Sequence, residues 1–498
     1  MKSLFRPTRY RLLPLASMLL PGLASAQTTL AHRPSAAALT IQQLGAAFAQ
    51  EKPHVGLSIG IIQDGRTYFY NFGTTVKDRQ QLPTAQTRYE IASISKTFTS
   101  LLLAQAVVEG KVQLTDDIRR YLPGSYPNLA FQGHPIRLVD LASTTSGLPD
   151  NLPESSQVVQ GAPPDSIPFR LLRSTQGYTT ARLYAYLHTI TLTTRPGAAP
   201  QHSNVAAYLL GCLLENVYHR PYAQLLRQHL ERPLGLPDGL ASAGVATGYN
   251  ERGLAMPLLG DASPTQVAAG LKYGTADLLK YLHYQLTEQD AAVRLSHQAA
   301  WGSLADQAIG LNWNLDQTVD SQRRLWASGG AFGAASYCEF YPGLRLGLVL
   351  LANESDPSTQ DQLQGLARQL VVALYGVPPA LQALESQLQA GGFQHAFTVV
   401  QEVKKQHPEL HLTESYVNNW GYALARRHQL QSALALFKLN VQLFPNGWNT
   451  YDSLAETYEL LGNHTLAIKN CQRSIALNPQ NANGVTQLQK LMEATQQH

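Results

Sequence analysis

The sequence predicts an α+β fold: an antiparallel sheet flanked by helices with a helical subdomain, followed by an all-α domain of helical repeats. Two observations lead there. Strand-like runs lie at both ends of the first 378 residues, around a middle that reads as helix and loop. After Pro378-Pro379 the pattern becomes one of paired helices with a 34-residue period. At 498 residues the chain is also too long for one ordinary core.

Residues 1–26 read as a secretory signal peptide. Lys2, Arg6, Arg9 and Arg11 make a basic start, residues 12–23 are apolar but broken by prolines, and Ala24-Ser25-Ala26 is a small-residue cleavage site. The apolar stretch is short for a membrane span, and no cysteine follows it to carry a lipid. A periplasmic or secreted protein cleaved after Ala26 is expected, with no transmembrane segment in the mature chain. Residues 41–48 read as a helix. Residues 55–62 and 67–72 read as a β-hairpin turning at Asp64-Gly65. The apolar run 98–108 is a helix ending at Gly110. Residues 111–320 read mostly as helices and loops, among them a Pro-, Ser- and Gly-rich surface loop over 151–168. Residues 335–341 and 344–351 pair as strands about Pro342-Gly343, and a helix over 363–375 closes the first domain, taken as 33–378.

In the second domain, 381–498, like residues recur 34 apart: Gly421 and Ala455, Ala433 and Ala467, Val441 and Ile475, Pro445 and Pro479. Ala396 and Pro408 repeat the Ala-to-Pro spacing and mark an earlier, partial unit. The period is that of tetratricopeptide repeats, which commonly bind a protein or peptide partner.

Chemistry concentrates in Ser93-Ile94-Ser95-Lys96. If the following run is helical, Ser93 and Lys96 share a face at i and i+3. A serine at a helix start is favoured as a developing oxyanion, and a neutral lysine beside it can take its proton. A net charge of +4, with no run of basic residues, gives no ground for a nucleic-acid partner. No phosphate-binding glycine loop and no zinc-ligand spacing occurs, so neither cofactor nor metal is expected. Cys212, Cys338 and Cys471 are too few and too far apart for a disulfide framework and read as buried small hydrophobes.

The run from Tyr89 to Thr99 around Ser93-Ile94-Ser95-Lys96 closely resembles the nucleophile segment of the serine β-lactamase-like family, which includes class C β-lactamases, D-Ala-D-Ala carboxypeptidases and related esterases. Thr144-Thr145-Ser146-Gly147-Leu148-Pro149 is similar to its H-T-S-G-L-P element, with threonine for histidine. His202-Ser203-Asn204 matches the second catalytic motif, usually Y-x-N, and Trp326-Ala327-Ser328-Gly329-Gly330 the third, usually K-T-G or H-x-G. The resemblance runs from about residue 40 to about 376 and implies the β-lactamase/transpeptidase-like fold. It implies Ser93 as acylated nucleophile, Lys96 as its base and Asn204 as a hydrogen-bonding partner of Lys96 or the substrate amide. It also implies an oxyanion hole from the N–H groups of Ser93 and Gly330, with Ser328 and Gly329 on the substrate.

Two departures stand out. His202 replaces the proton-shuttling tyrosine, and imidazole can do that work. Ala327 replaces the cation that helps bind a substrate carboxylate. The expected activity is hydrolysis of an ester or amide in a small molecule or peptide through acyl-Ser93. The alternative is a catalytically weak, penicillin-binding-like recognition protein whose repeats bind a protein partner.

Overall fold

A computed structural model describes residues 35–52, 55–151, 158–259, 263–356 and 358–496; residues 1–26, read as the signal peptide, lie outside the described residues. Helix α1 (Ala36–Glu51) precedes the hairpin of β1 (Gly56–Gln63) and β2 (Arg66–Gly73). Asp64 and Gly65 both take positive φ, 50° and 77°, as a two-residue turn matched to strand twist requires.

The nucleophile run forms α2 (Ser95–Val108). Next come α3 (Ile167–Thr175), α4 (Asn204–Tyr218) and α5 (Thr275–Thr287). Three short strands follow, β3 (Trp301–Gly302), β4 (Ala308–Ile309) and β5 (Asn314–Gln317). Then come β6 (Arg323–Gly330), β7 (Ala335–Tyr341), β8 (Leu346–Ala352) and the closing helix α6 (Thr359–Tyr375).

The strands make one eight-stranded sheet in the order β2-β1-β8-β7-β6-β5-β4-β3, every neighbour antiparallel. Within 111–320, read mostly as helices and loops, β3 to β5 extend the sheet. Two of them are two residues long, too short to leave an alternating pattern.

β7 and β8 are buried along their whole length because both faces of the sheet are covered. Ala335, Tyr337, Leu346, Leu348 and Leu350 pack under α1 and α6. The alternate residues Cys338, Phe340, Val349 and Leu351 face the helical subdomain. There Phe98 of α2 stacks on Tyr281 of α5, ring centroids 3.9 Å apart. Tyr281 thereby ties the buried nucleophile helix to α5, which packs on β1 and β8. The three cysteines are unpaired and buried, and burial pushes the Cys212 thiol up to about 12.

The remainder is all helical: α7 (Pro379–Gly391), α8 (Ala396–Gln406), α9 (Glu414–Arg426), α10 (Leu430–Leu443), α11 (Trp448–Leu460), α12 (His464–Leu477) and α13 (Ala482–Gln496). Helices α9 and α11 begin 34 residues apart, as do α10 and α12. Gly421 lets α9 close on α10, because a Cβ there would come within 2.7 Å of the Phe437 ring. The helical core reaches back to the sheet through Val319. Nearby, His411 N–H donates to the Val319 carbonyl (2.8 Å) and Ser321 Oγ donates to the Glu409 carbonyl (2.7 Å).

Candidate active site

The short strand Tyr89–Glu90 pairs with Lys272–Tyr273 and delivers the chain into a tight turn over Ala92–Ile94, with α2 starting at Ser95. Ser93 therefore stands in the turn ahead of the helix. Ala92 is held at φ 45°, a left-handed value that costs a non-glycine residue energy and persists only where its surroundings enforce it.

Lys96 reaches back so that Nζ lies 2.8 Å from Ser93 Oγ and 3.4 Å from the Ala268 carbonyl. Its side chain is buried, and burial lowers its pKa from 10.5 to about 8, against an opposing pull from the Asp150 charge. An amine held there has a substantial neutral fraction at mildly alkaline pH and can accept a hydroxyl proton.

The second motif opens α4. Ser203 caps the helix, its Oγ accepting from Ala206 N–H and donating to the Pro149 carbonyl. The Asp150 carbonyl accepts from the N–H groups of Asn204 and Val205 at 2.8 and 3.3 Å. Its carboxylate Oδ1 lies 2.6 Å from His202 Nδ1, and Asn204 Nδ2 donates to Asn151 Oδ1 at 3.0 Å. Residues 149–151 and 202–205 are thus laced together by hydrogen bonds. Asn204 points to Asn151, and the hydrogen bonds of Lys96 go to Ser93 and Ala268.

The third motif is the end of β6. A Cβ at Gly329 would meet Ser93 N at 2.8 Å and crowd the Ile91 carbonyl, so only glycine admits this close approach. Ala327 is buried, with a methyl group where an amine or imidazole would stand.

These residues open on one cleft of about 720 Å³, which Ser93, Lys96, His202, Asn204, Ser328, Gly329 and Gly330 all line. Among the described lining residues, Lys96 and His202 alone can carry positive charge, and Ala327 lies on the wall. Leu171 and Leu172 of α3 border the cleft from a helix that has no buried residue of its own.

Sequence reasoning missed three features. Tyr208 lines the cleft one turn beyond Asn204, a position that i, i+4 spacing signals. Its phenol is pushed up, first by burial and then by the Asp150 charge, and so holds its proton. Asp150 lies directly after the Pro149 that ends the recognised element. Helix α3 begins at Ile167, inside the end of the surface loop expected over 151–168, of which residues 152–157 lie outside the described residues.

A model of the Beta-lactamase family matches residues 41–373. A β-lactamase of Pseudomonas fluorescens is 26% identical over 359 residues, covering 62% of this chain and 92% of the relative. The D-alanyl-D-alanine-carboxypeptidase/endopeptidase AmpH of Escherichia coli K12 is 31% identical over 183 residues, 37% of this chain and 44% of that protein. Among solved structures, the β-lactamase/D-alanine carboxypeptidase of Pseudomonas syringae shares the fold with a TM-score of 0.57 at 22% identity, covering 69% of this chain and all of that one. The fold and these relatives define a β-lactamase-related serine hydrolase. The chain belongs to the Beta-lactamase family.

Proposed function

We propose that this enzyme cleaves a neutral ester or amide through an acyl-Ser93 intermediate. The observation that carries the reading is the 2.8 Å approach of a buried, pKa-lowered Lys96 to Ser93 Oγ, inside a cleft where Ala327 leaves the usual substrate-binding cation missing. As Ser93 Oγ bonds to the carbonyl carbon, its proton passes to Lys96 Nζ, and the carbonyl oxygen takes the negative charge opposite the N–H groups of Ser93 and Gly330. The proton then moves by way of His202 Nε2 to the leaving oxygen or nitrogen as that bond breaks. In the second half, water attacks the acyl carbon and gives His202 a proton, which returns to Ser93 Oγ as the acid leaves.

A substrate carboxylate would find no second cation on this wall, which favours neutral esters and amides over penicillins. The apolar side chains of Leu171, Leu172, Leu259, Ile309 and Phe332 suit an apolar acyl group. Two further readings belong to the proposal. The leader 1–26 supports export to the periplasm or medium, and no described helix is long and apolar enough to cross a membrane. The 34-residue recurrence of helix pairs supports a tetratricopeptide-like domain beyond residue 381.

The test is a panel of p-nitrophenyl esters, a chromogenic cephalosporin and D-alanyl peptides, run with wild type and Ser93→Ala. Ester turnover that vanishes in Ser93→Ala supports the reading. Turnover confined to the cephalosporin or the D-alanyl peptides would overturn the substrate class.

A further inference from the structure

We infer that Asp150 is a positioning residue of the hydrolytic site, acting through His202 to hold its ring with the proton on Nδ1 and the bare Nε2 as the working nitrogen. The inference rests on the reading of His202 as proton relay. Its geometric ground is the 2.6 Å separation of Asp150 Oδ1 and His202 Nδ1 at the border of the cleft.

An ionised carboxylate only accepts hydrogen bonds, so the shared proton belongs to Nδ1. The hydrogen bond from His202 is the largest cause holding the Asp150 carboxyl below its usual range, so Asp150 is ionised at neutral pH. Hydrogen bonds other than that of the pair itself tie the two segments together. The Asp150 carbonyl receives Asn204 and Val205 N–H, and Ser203 Oγ donates to the Pro149 carbonyl. The carboxylate and the imidazole, both more than half exposed, thus face each other at the start of α4.

Two consequences follow for the proton step. In acylation, Nε2 accepts the proton that Ser93 gave to Lys96, and the ring becomes an imidazolium beside the Asp150 charge. The same Nε2–H then donates to the leaving atom, and the ring returns to its Nδ1–H form. No proton moves to Asp150, so every transfer balances at Nε2. A tyrosine at position 202 would need no such partner, since its single hydroxyl has no second tautomer. The replacement of tyrosine by histidine and the carboxylate at 150 therefore make one functional unit.

Asp150 also faces Lys96 electrostatically, so the experiment separates the two routes. Steady-state rates on an ester are measured at pH 9, where Lys96 is mostly neutral, for wild type, Asp150→Asn, His202→Tyr and the double variant. Asp150→Asn should lower kcat at least about tenfold with KM within about twofold, while in the His202→Tyr background it should change kcat less than about twofold. Ring 15N shifts of His202 in the wild type should report the Nδ1–H tautomer, a readout that needs no variant to fold. An equal loss in both backgrounds, an unchanged kcat in Asp150→Asn, or an Nε2–H tautomer would overturn the inference. Covalent labelling of Ser93 is followed alongside, and its absence in wild type would instead overturn the acyl-serine reading on which the inference rests.

Discussion

Replacing Lys96 with methionine should abolish turnover and stabilise the enzyme at neutral pH. The amine is buried, and burial holds its pKa at about 8 against 10.5 for a free lysine. A tenfold change in a proton equilibrium is worth about 1.36 kcal/mol, so the charged form costs the native state roughly 3 kcal/mol at pH 7. Methionine fills similar space without that charge. It forfeits the bonds to Ser93 Oγ and the Ala268 carbonyl, which offsets about 1 kcal/mol. The net gain is about 2 kcal/mol, or a few degrees in Tm for a domain of this size.

The sign follows from proton linkage. The unfolded chain binds the proton more tightly than the folded one, so the penalty is complete below pH 8 and fades between 8 and 10.5. Scanning calorimetry of wild type and Lys96→Met at pH 7 and near pH 10.5 measures this. The variant's advantage should be present at the first pH and gone or slightly reversed at the second. An advantage that does not change with pH, or a variant less stable at pH 7, would refute the claim that Lys96 is held against its charge.

Three further outcomes are expected. In wild type, kcat/KM on a neutral ester should rise with pH through about 8, because the neutral amine is the competent form; a profile falling through that range would contradict Lys96 as base. Ala327→Lys should raise kcat/KM about ten- to a hundredfold for carboxylate-bearing substrates and leave their neutral esters unchanged, as kinetics on matched pairs will show. A chain ending at residue 380 should still fold and label at Ser93, since the helices beyond it share a core of their own. Insolubility would mean that the packing on Val319 and the bonds to Glu409 and His411 belong to the enzyme core.

What was legible in the sequence was what local chemistry dictates. Asp64-Gly65 announced the hairpin because both positions take positive φ. The spacing of Ser93 and Lys96 announced their approach, even though Ser93 lies in the turn before α2 and not within it. β8 was legible as an apolar run because both its faces are buried.

The rest depends on partners far away in the chain. β3 and β4 are strands only because the sheet edge accepts them, and nothing in two residues can signal that. Asp150 acquires its meaning from His202, 52 residues on, and the sequence shows neither the loop that brings them together nor its direction. Asn204 was expected to reach Lys96 or the substrate; it lines the cleft, and its Nδ2 donates to Asn151 Oδ1, a partner that no local pattern signals.

The proposed reaction stands on Ser93 as the residue that carries the acyl group. Intact-protein mass measurement during turnover of a slow ester, followed by peptide mapping, tests it most directly. A transient adduct of the acyl mass is expected on Ser93, absent in Ser93→Ala and accumulating more slowly in Lys96→Ala by about a hundredfold or more. An adduct on any other residue, or undiminished turnover in Ser93→Ala, would contradict it.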